Sequence, residues 1–110
     1  MKTRVLAATV SIVSMLMLSP SHASDALDLA KKSGCMACHS VEQKVVGPAW
    51  KDVAAKYKDQ EGARALLIEK VQKGGKGNWA DITGGVPMPP YSPRVADADI
   101  EKLVDFVLSL

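Results

Sequence analysis

Histidine and cysteine are nearly absent from this chain, and that shortage narrows its chemistry more than any residue it has in plenty. Of 110 residues, two are histidine (His22, His39) and two are cysteine (Cys35, Cys38). Two cysteines this close cannot build the disulfide framework that stabilises many small exported domains. A structural zinc site needs four ligands, mostly Cys and His, and these residues are too few to supply them once His22 is set aside. No Ser/His/Asp set and no phosphate-cradling glycine loop is recognisable. Aromatics are scarce as well, with two Trp, two Tyr and one Phe, so a domain this small has little bulk with which to fill a core.

Long apolar runs are equally few. The one present, Val5 to Leu18, follows Lys2 and Arg4 and precedes Pro20-Ser21-His22-Ala23. A basic start, an apolar stretch and small residues at Ser21 and Ala23 form the layout of a cleaved secretory signal. The run is also short for spanning ~30 Å of hydrocarbon. Residues 1–23 are therefore expected to be removed, leaving 24–110 as one domain without a membrane anchor. Lys2 and Arg4 account for the whole formal charge of +2, so the remainder is neutral. Its charges are unevenly spread, with ten basic residues against five acidic ones between Lys31 and Lys76, and an acidic C-terminal segment. So dilute a basic middle does not suit nucleic acid, but it can steer a protein partner.

The periodic segments of the domain read as helices. Ser24 is placed to cap a helix over Asp25–Ser33 that Gly34 stops. Pro48 suits the first turn of a helix running through Trp50, Val53, Ala54 and Tyr57. Glu61–Lys73 carries Leu66, Leu67, Lys70 and Val71 at helical spacing and ends at Gly74-Gly75. Asp97 is a good cap for a last helix, where Ile100, Leu103, Val104, Val107 and Leu108 fall on one face. Met36–Gly47 and Gly74–Ala96 remain as long non-helical stretches, and such loops are uncommon unless something organises them. No alternating strand pattern occurs, so the expected class is all-α, with about four helices.

Cys35-Met36-Ala37-Cys38-His39 is the C-x-x-C-H signature of covalent c-type haem attachment. Two thiols at this spacing reach the two vinyl groups of one haem edge, and the next residue presents its imidazole as proximal iron ligand. A redox-active C-x-x-C would call for a thioredoxin-like βαβ context, which this chain lacks. The second axial ligand follows by elimination. His22 leaves with the signal, so paired histidines are excluded. Met36 lies inside the attachment loop and cannot reach the opposite face. Met88 remains, in Val86-Pro87-Met88-Pro89-Pro90, where prolines stiffen the loop that must hold a weak thioether ligand. The competing reading of a lone methionine is core filler.

Gly34-Cys35-Met36-Ala37-Cys38-His39, Val46-Gly47-Pro48-Ala49-Trp50-Lys51-Asp52-Val53-Ala54, Gly74-Gly75 and Pro87-Met88-Pro89-Pro90 together resemble the small bacterial class I monohaem cytochromes c. The resemblance covers essentially all of 24–110. It implies a compact helical fold in which the terminal helices cross beside the haem, and a periplasmic location. It also implies that the Pro48 carbonyl accepts the His39 Nδ1 proton, that the Trp79 indole meets a haem propionate, and that Lys70 serves the same propionate in place of a frequent arginine. For Trp79 and Lys70, loop packing and a helix-surface cation are the alternative roles. Two departures stand out: Asp81-Ile82-Thr83-Gly84-Gly85 looks inserted between Trp79 and Met88, and Tyr91 replaces an asparagine that in relatives supports the methionine sulfur.

A haem with His39 and Met88 on its two faces has no open coordination position and changes oxidation state with little movement. The expected function is a soluble one-electron shuttle between larger redox proteins, acting as a monomer and not as an enzyme. Docking would use the exposed haem edge with Lys32, Lys44, Lys73 and Lys76. A haem enzyme or gas sensor with a displaceable Met88, and a dedicated electron-transfer subunit of one dehydrogenase or oxidase, remain as alternatives.

Overall fold

The computed structural model describes Ile12 and residues 21–110. The expected signal at 1–23 lies for the most part outside those residues. Among the described residues there are five helices: α1 (Ser21–Lys32), α2 (Trp50–Tyr57), α3 (Ala63–Lys73), α4 (Ala80–Thr83) and α5 (Asp97–Leu108), with a 3-10 turn at Cys35–Ala37 between the first two. No strand occurs among the described residues; the nearest approach is two isolated bridges, His39 with Lys44 and Gly75 with Met88. The all-α expectation holds.

The last helix organises the rest. α5 packs against α1, α2 and α3, because Ile100, Leu103, Val104 and Val107 share one buried face. On one side of α5, Leu103 and Val107 join Ala30 of α1, Cys35, Trp50, Val53 and Tyr57 of α2, and Ala63 of α3. On the other, Ile100 and Val104 meet Tyr91, with Met88 and Val71 packed against them. Burying such side chains contributes about 1.5–3 kcal/mol each, and these two clusters set the walls between which the site forms.

Helix ends depart from the sequence reading at four places. α1 begins at Ser21 and runs through Ser24, since no glycine or proline interrupts Ser21-His22-Ala23. Pro48 lies before α2 rather than in its first turn; Ala49 is the residue at the cap, and α2 starts at Trp50. α3 begins at Ala63 rather than Glu61, because Gly62 takes a left-handed conformation at φ 75°. Asp97 is the first residue of α5, with Ala96 at the cap and no side-chain capping bond. Its carboxylate instead accepts a hydrogen bond from Gln72 Nε2 at 3.1 Å. The single turn α4 lies within the stretch expected to be non-helical and ends at Gly84, φ 64°.

Candidate functional site

The attachment loop is built from its own backbone. Gly34 turns the chain out of α1 at φ 83°, and the His39 amide donates to the Cys35 carbonyl at 3.0 Å. The Cys38 carbonyl then accepts both Val46 N at 3.2 Å and Gly47 N at 2.7 Å. Trp50 N donates to Ser40 O at 2.9 Å and Lys51 N to Val41 O at 3.0 Å, closing the loop onto the start of α2. The long Met36–Gly47 segment is thus organised by hydrogen bonds converging on the C-x-x-C-H residues.

His39 is held on three sides. Its ring stacks on Trp50 with centroids 5.8 Å apart and planes at 28°. Gly47 lies flat against it: a Cβ there would stand 2.6 Å from Cε1 and 3.0 Å from both ring nitrogens. Nδ1 is 2.8 Å from the Pro48 carbonyl oxygen, and since a carbonyl can only accept, Nδ1 carries the proton. Burial pushes the imidazole below its ordinary pKa, partly offset by the Pro48 bond, so the neutral ring is favoured, with the Nε2 lone pair free.

The loop bearing Met88 is fixed from the other side. Met88 N donates to Gly75 O at 3.0 Å, and Gly75 N returns a bond to Met88 O at 2.9 Å. Gly74 must be glycine for this approach, because a Cβ there would strike the Met88 oxygen and come within 2.8 Å of Pro89 C and Pro90 N.

Between these two structures lies a largely apolar cavity of about 350 Å³, within the size range of cofactor pockets. Cys35, Cys38, His39, Pro48, Lys70, Trp79 and Met88 all line it. The seven residues expected to hold or contact a haem are therefore brought to one place. Cys35 is buried and Cys38 half-buried, and the two thiols are not joined to each other. Burial also pushes the Cys35 thiol upward, the opposite of what a thiolate nucleophile requires. Among the described residues, no three His, Cys, Asp or Glu side chains converge in a way that could hold a metal ion. Two thiols, a neutral imidazole with its tautomer set, and a thioether around one apolar space are a donor set that fits a covalently attached haem.

At the cavity mouth, Lys70 Nζ donates to the Gly74 carbonyl at 3.4 Å. Trp79 is half-buried at the start of α4, with Lys56 Nζ 4.5 Å from its ring centroid. Lys56 also donates to the Asn78 carbonyl at 3.2 Å, and Asn78 Nδ2 donates to the Tyr57 hydroxyl at 3.4 Å. Of the four lysines expected near the haem edge, Lys76 lines the cavity. The Lys44 backbone pairs with that of His39, Lys73 is paired with Glu69 at 2.9 Å, and Lys32 closes α1 outside the cavity. Sequence reasoning missed Lys56, Asn78 and Tyr57, as well as the wall residues Leu67, Val71 and Val104. An apolar face at helical spacing reads as core whether it packs against protein or against a cofactor.

Comparison with known proteins agrees with this geometry. The family model described as cytochrome c matches residues 24–110. The chain is 53% identical over 93 residues to the cytochrome c-551 of Allochromatium vinosum, covering 84% of this chain and 93% of that protein. It is 48% identical over 94 residues to the cytochrome c-552 of Nitrosomonas europaea, covering 86% of each. The crystal structure of wild-type Nitrosomonas europaea cytochrome c552 superimposes with a TM-score of 0.68 at 51% identity, over 76% of this chain and 98% of that one. The class 1 cytochrome MtoD of Sideroxydans lithotrophicus is similar at a TM-score of 0.64 and 30% identity, over 78% and 92% of the two chains.

Proposed function

Because this chain belongs to the cytochrome c family, we propose that it is a one-electron carrier of the bacterial periplasm, exchanging electrons with larger redox proteins and catalysing no reaction of its own. One observation carries this reading: the four residues Cys35, Cys38, His39 and Met88 share one apolar cavity. In the reading, Cys35 and Cys38 would attach haem c, and His39 and Met88 would hold its iron. A haem so held supplies a single reversible change of iron oxidation state, favouring the reduced form through the neutral thioether and the low-dielectric setting.

The protein's own residues supply positioning. The Pro48 carbonyl holds the Nδ1 proton of His39 and so presents Nε2 to the metal. The apolar walls exclude water, and the hydrogen-bonded loops on either side keep both ligands in one geometry, which keeps reorganisation small. With His39 and Met88 both holding the iron, no place would be left for a substrate, which favours a carrier over an enzyme or gas sensor. Lys70 and Trp79 would meet the same propionate at the mouth.

The same mouth would dock the partners. Val46, Leu66 and Val86 are exposed apolar residues lining it, with Lys70 and Lys76 beside them. An apolar patch with a basic rim suits a small, transient, salt-sensitive contact with an acidic surface. No helix among the described residues is long and apolar enough to cross a membrane. With residues 1–23 as an export signal, the carrier would be a free monomer in the periplasm.

The deciding experiment is a redox titration of haem-loaded protein with its Met–iron absorption signature, beside Met88→Ala. We expect one reversible one-electron transition in the wild type, slow and weak CO binding by the reduced form, and a markedly lower potential with an accessible iron in Met88→Ala. Rapid CO binding by the wild type, or an unchanged potential in Met88→Ala, would sink the reading. Cys35→Ala should keep at most one covalent link to haem, visible by mass after denaturation.

A further inference from the structure

Tyr91 stands just beyond Met88-Pro89-Pro90, and its surroundings bind it to that methionine. The side chain is 5% exposed, lines the cavity, and forms with Ile100 and Val104 the cluster against which Met88 packs. Pro89 and Pro90 have no N–H, so Met88 and Tyr91 carry the only backbone donors of the four-residue segment. Both are used: Met88 N donates to Gly75 O at 3.0 Å, and Tyr91 N donates to Val71 O at 3.1 Å. The Tyr91 carbonyl in turn accepts Val95 N at 2.7 Å. Tyr91 therefore closes a clamp between the end of α3 and the approach to α5, as a member of the buried cluster against which Met88 packs. Outside the ring lies Arg94, an exposed residue whose guanidinium carbon is 4.9 Å from the ring centroid. A cation stacked on an aromatic face restrains that ring.

We propose that Tyr91, held by Arg94, is a positioning residue that keeps the Met88 thioether in the cavity and so resists its replacement by an outside ligand. The inference rests on Met88 being the second axial ligand in the function proposed above. Its physical basis is a two-state balance between Met88 seated and Met88 displaced. An outside ligand binds only the displaced state, so its apparent affinity rises in proportion to that state's population. Removing the Tyr91 ring leaves a void against the methionine, into which it can swing at little cost. Removing Arg94 frees the ring without removing it.

Cyanide titration of the haem-loaded ferric protein reads this balance directly, with the Met–iron absorption signature followed in parallel. Tyr91→Ala should bind cyanide at least about tenfold more tightly than the wild type and show a weakened signature. Arg94→Ala should shift both in the same direction by less, and Tyr91→Phe, which keeps the ring, should stay close to wild type. Should Tyr91→Ala fail to fold, Tyr91→Leu and Arg94→Ala carry the test. Cyanide affinities within about twofold of wild type in these variants would overturn the proposal, as would Tyr91→Phe behaving like Tyr91→Ala. A wild type that binds cyanide as readily as Met88→Ala would instead overturn Met88 as ligand, so the two failures are distinguishable.

Discussion

A buried imidazole can serve a metal only if its proton sits on the right nitrogen. In this chain that is arranged by a single hydrogen bond from His39 Nδ1 to the Pro48 carbonyl at 2.8 Å, while burial keeps the ring neutral. The arrangement depends on an absent side chain, since Gly47 leaves the ring just enough room. Alanine at position 47 would place a Cβ 2.6 Å from Cε1, and the ring would have to leave Trp50, Pro48 or both. Overpacking of this kind costs about 1–3 kcal/mol. Gly47→Ala should therefore lower the unfolding free energy of the haem-loaded protein by that amount, read as a lower denaturant midpoint, and alter its potential. A variant matching wild type in both would show that the loop yields without moving the histidine.

Helices α2, α3 and α5 were legible in the sequence because their apolar residues recur at helical spacing over several turns, and each opposes the same core. Their ends were less so. Ser24 and Asp97 have the chemistry of caps, yet α1 continues through the first and the second lies inside α5, bonded to Gln72. Capping chemistry is local, whereas where a helix begins also depends on which distant side chain claims the carboxylate. α4 was invisible because a single turn has no periodicity. Long-range pairing leaves no local trace either: Arg64 of α3 and Asp105 of α5 meet at 2.7 Å and 3.2 Å across 41 residues. Arg64, through its hydrogen bond above all, holds the Asp105 carboxyl below its ordinary pKa. A depressed carboxyl stabilises the fold above the ordinary value of about 3.9 and loses that contribution as pH falls through the folded-state value. Arg64→Gln should thus lower Tm slightly at neutral pH and low salt, with the difference vanishing in strong acid or high salt. A deficit of equal size under all three conditions would assign the loss to packing instead.

At the scale of the molecule, the seven proposed site residues, all of which line the cavity, were each pointed to in the sequence by a spacing motif, a count of ligands or a family pattern. The cavity itself was not, since its walls come from α2, α3, α5 and two loops that meet only after folding. That geometry makes the cofactor part of the core. α5 packs on α1, α2 and α3, but between the two apolar clusters stands a space of about 350 Å³. At about 24 cal/mol per Å³, leaving a space of that size unfilled would cost about 8 kcal/mol, an upper figure because water enters through the mouth. A domain of this length has only about 4–13 kcal/mol of stability in total, so the two quantities are comparable and an unfilled centre would take up much or all of that stability. Chain produced without haem, as in the double variant Cys35→Ala/Cys38→Ala, should show reduced helical circular dichroism and no cooperative thermal transition, while the haem-loaded wild type unfolds in one sharp step. If the haem-free chain instead melted cooperatively with most of its helix intact, the protein contacts alone would suffice, and haem would be a guest of the fold and not a member of its core.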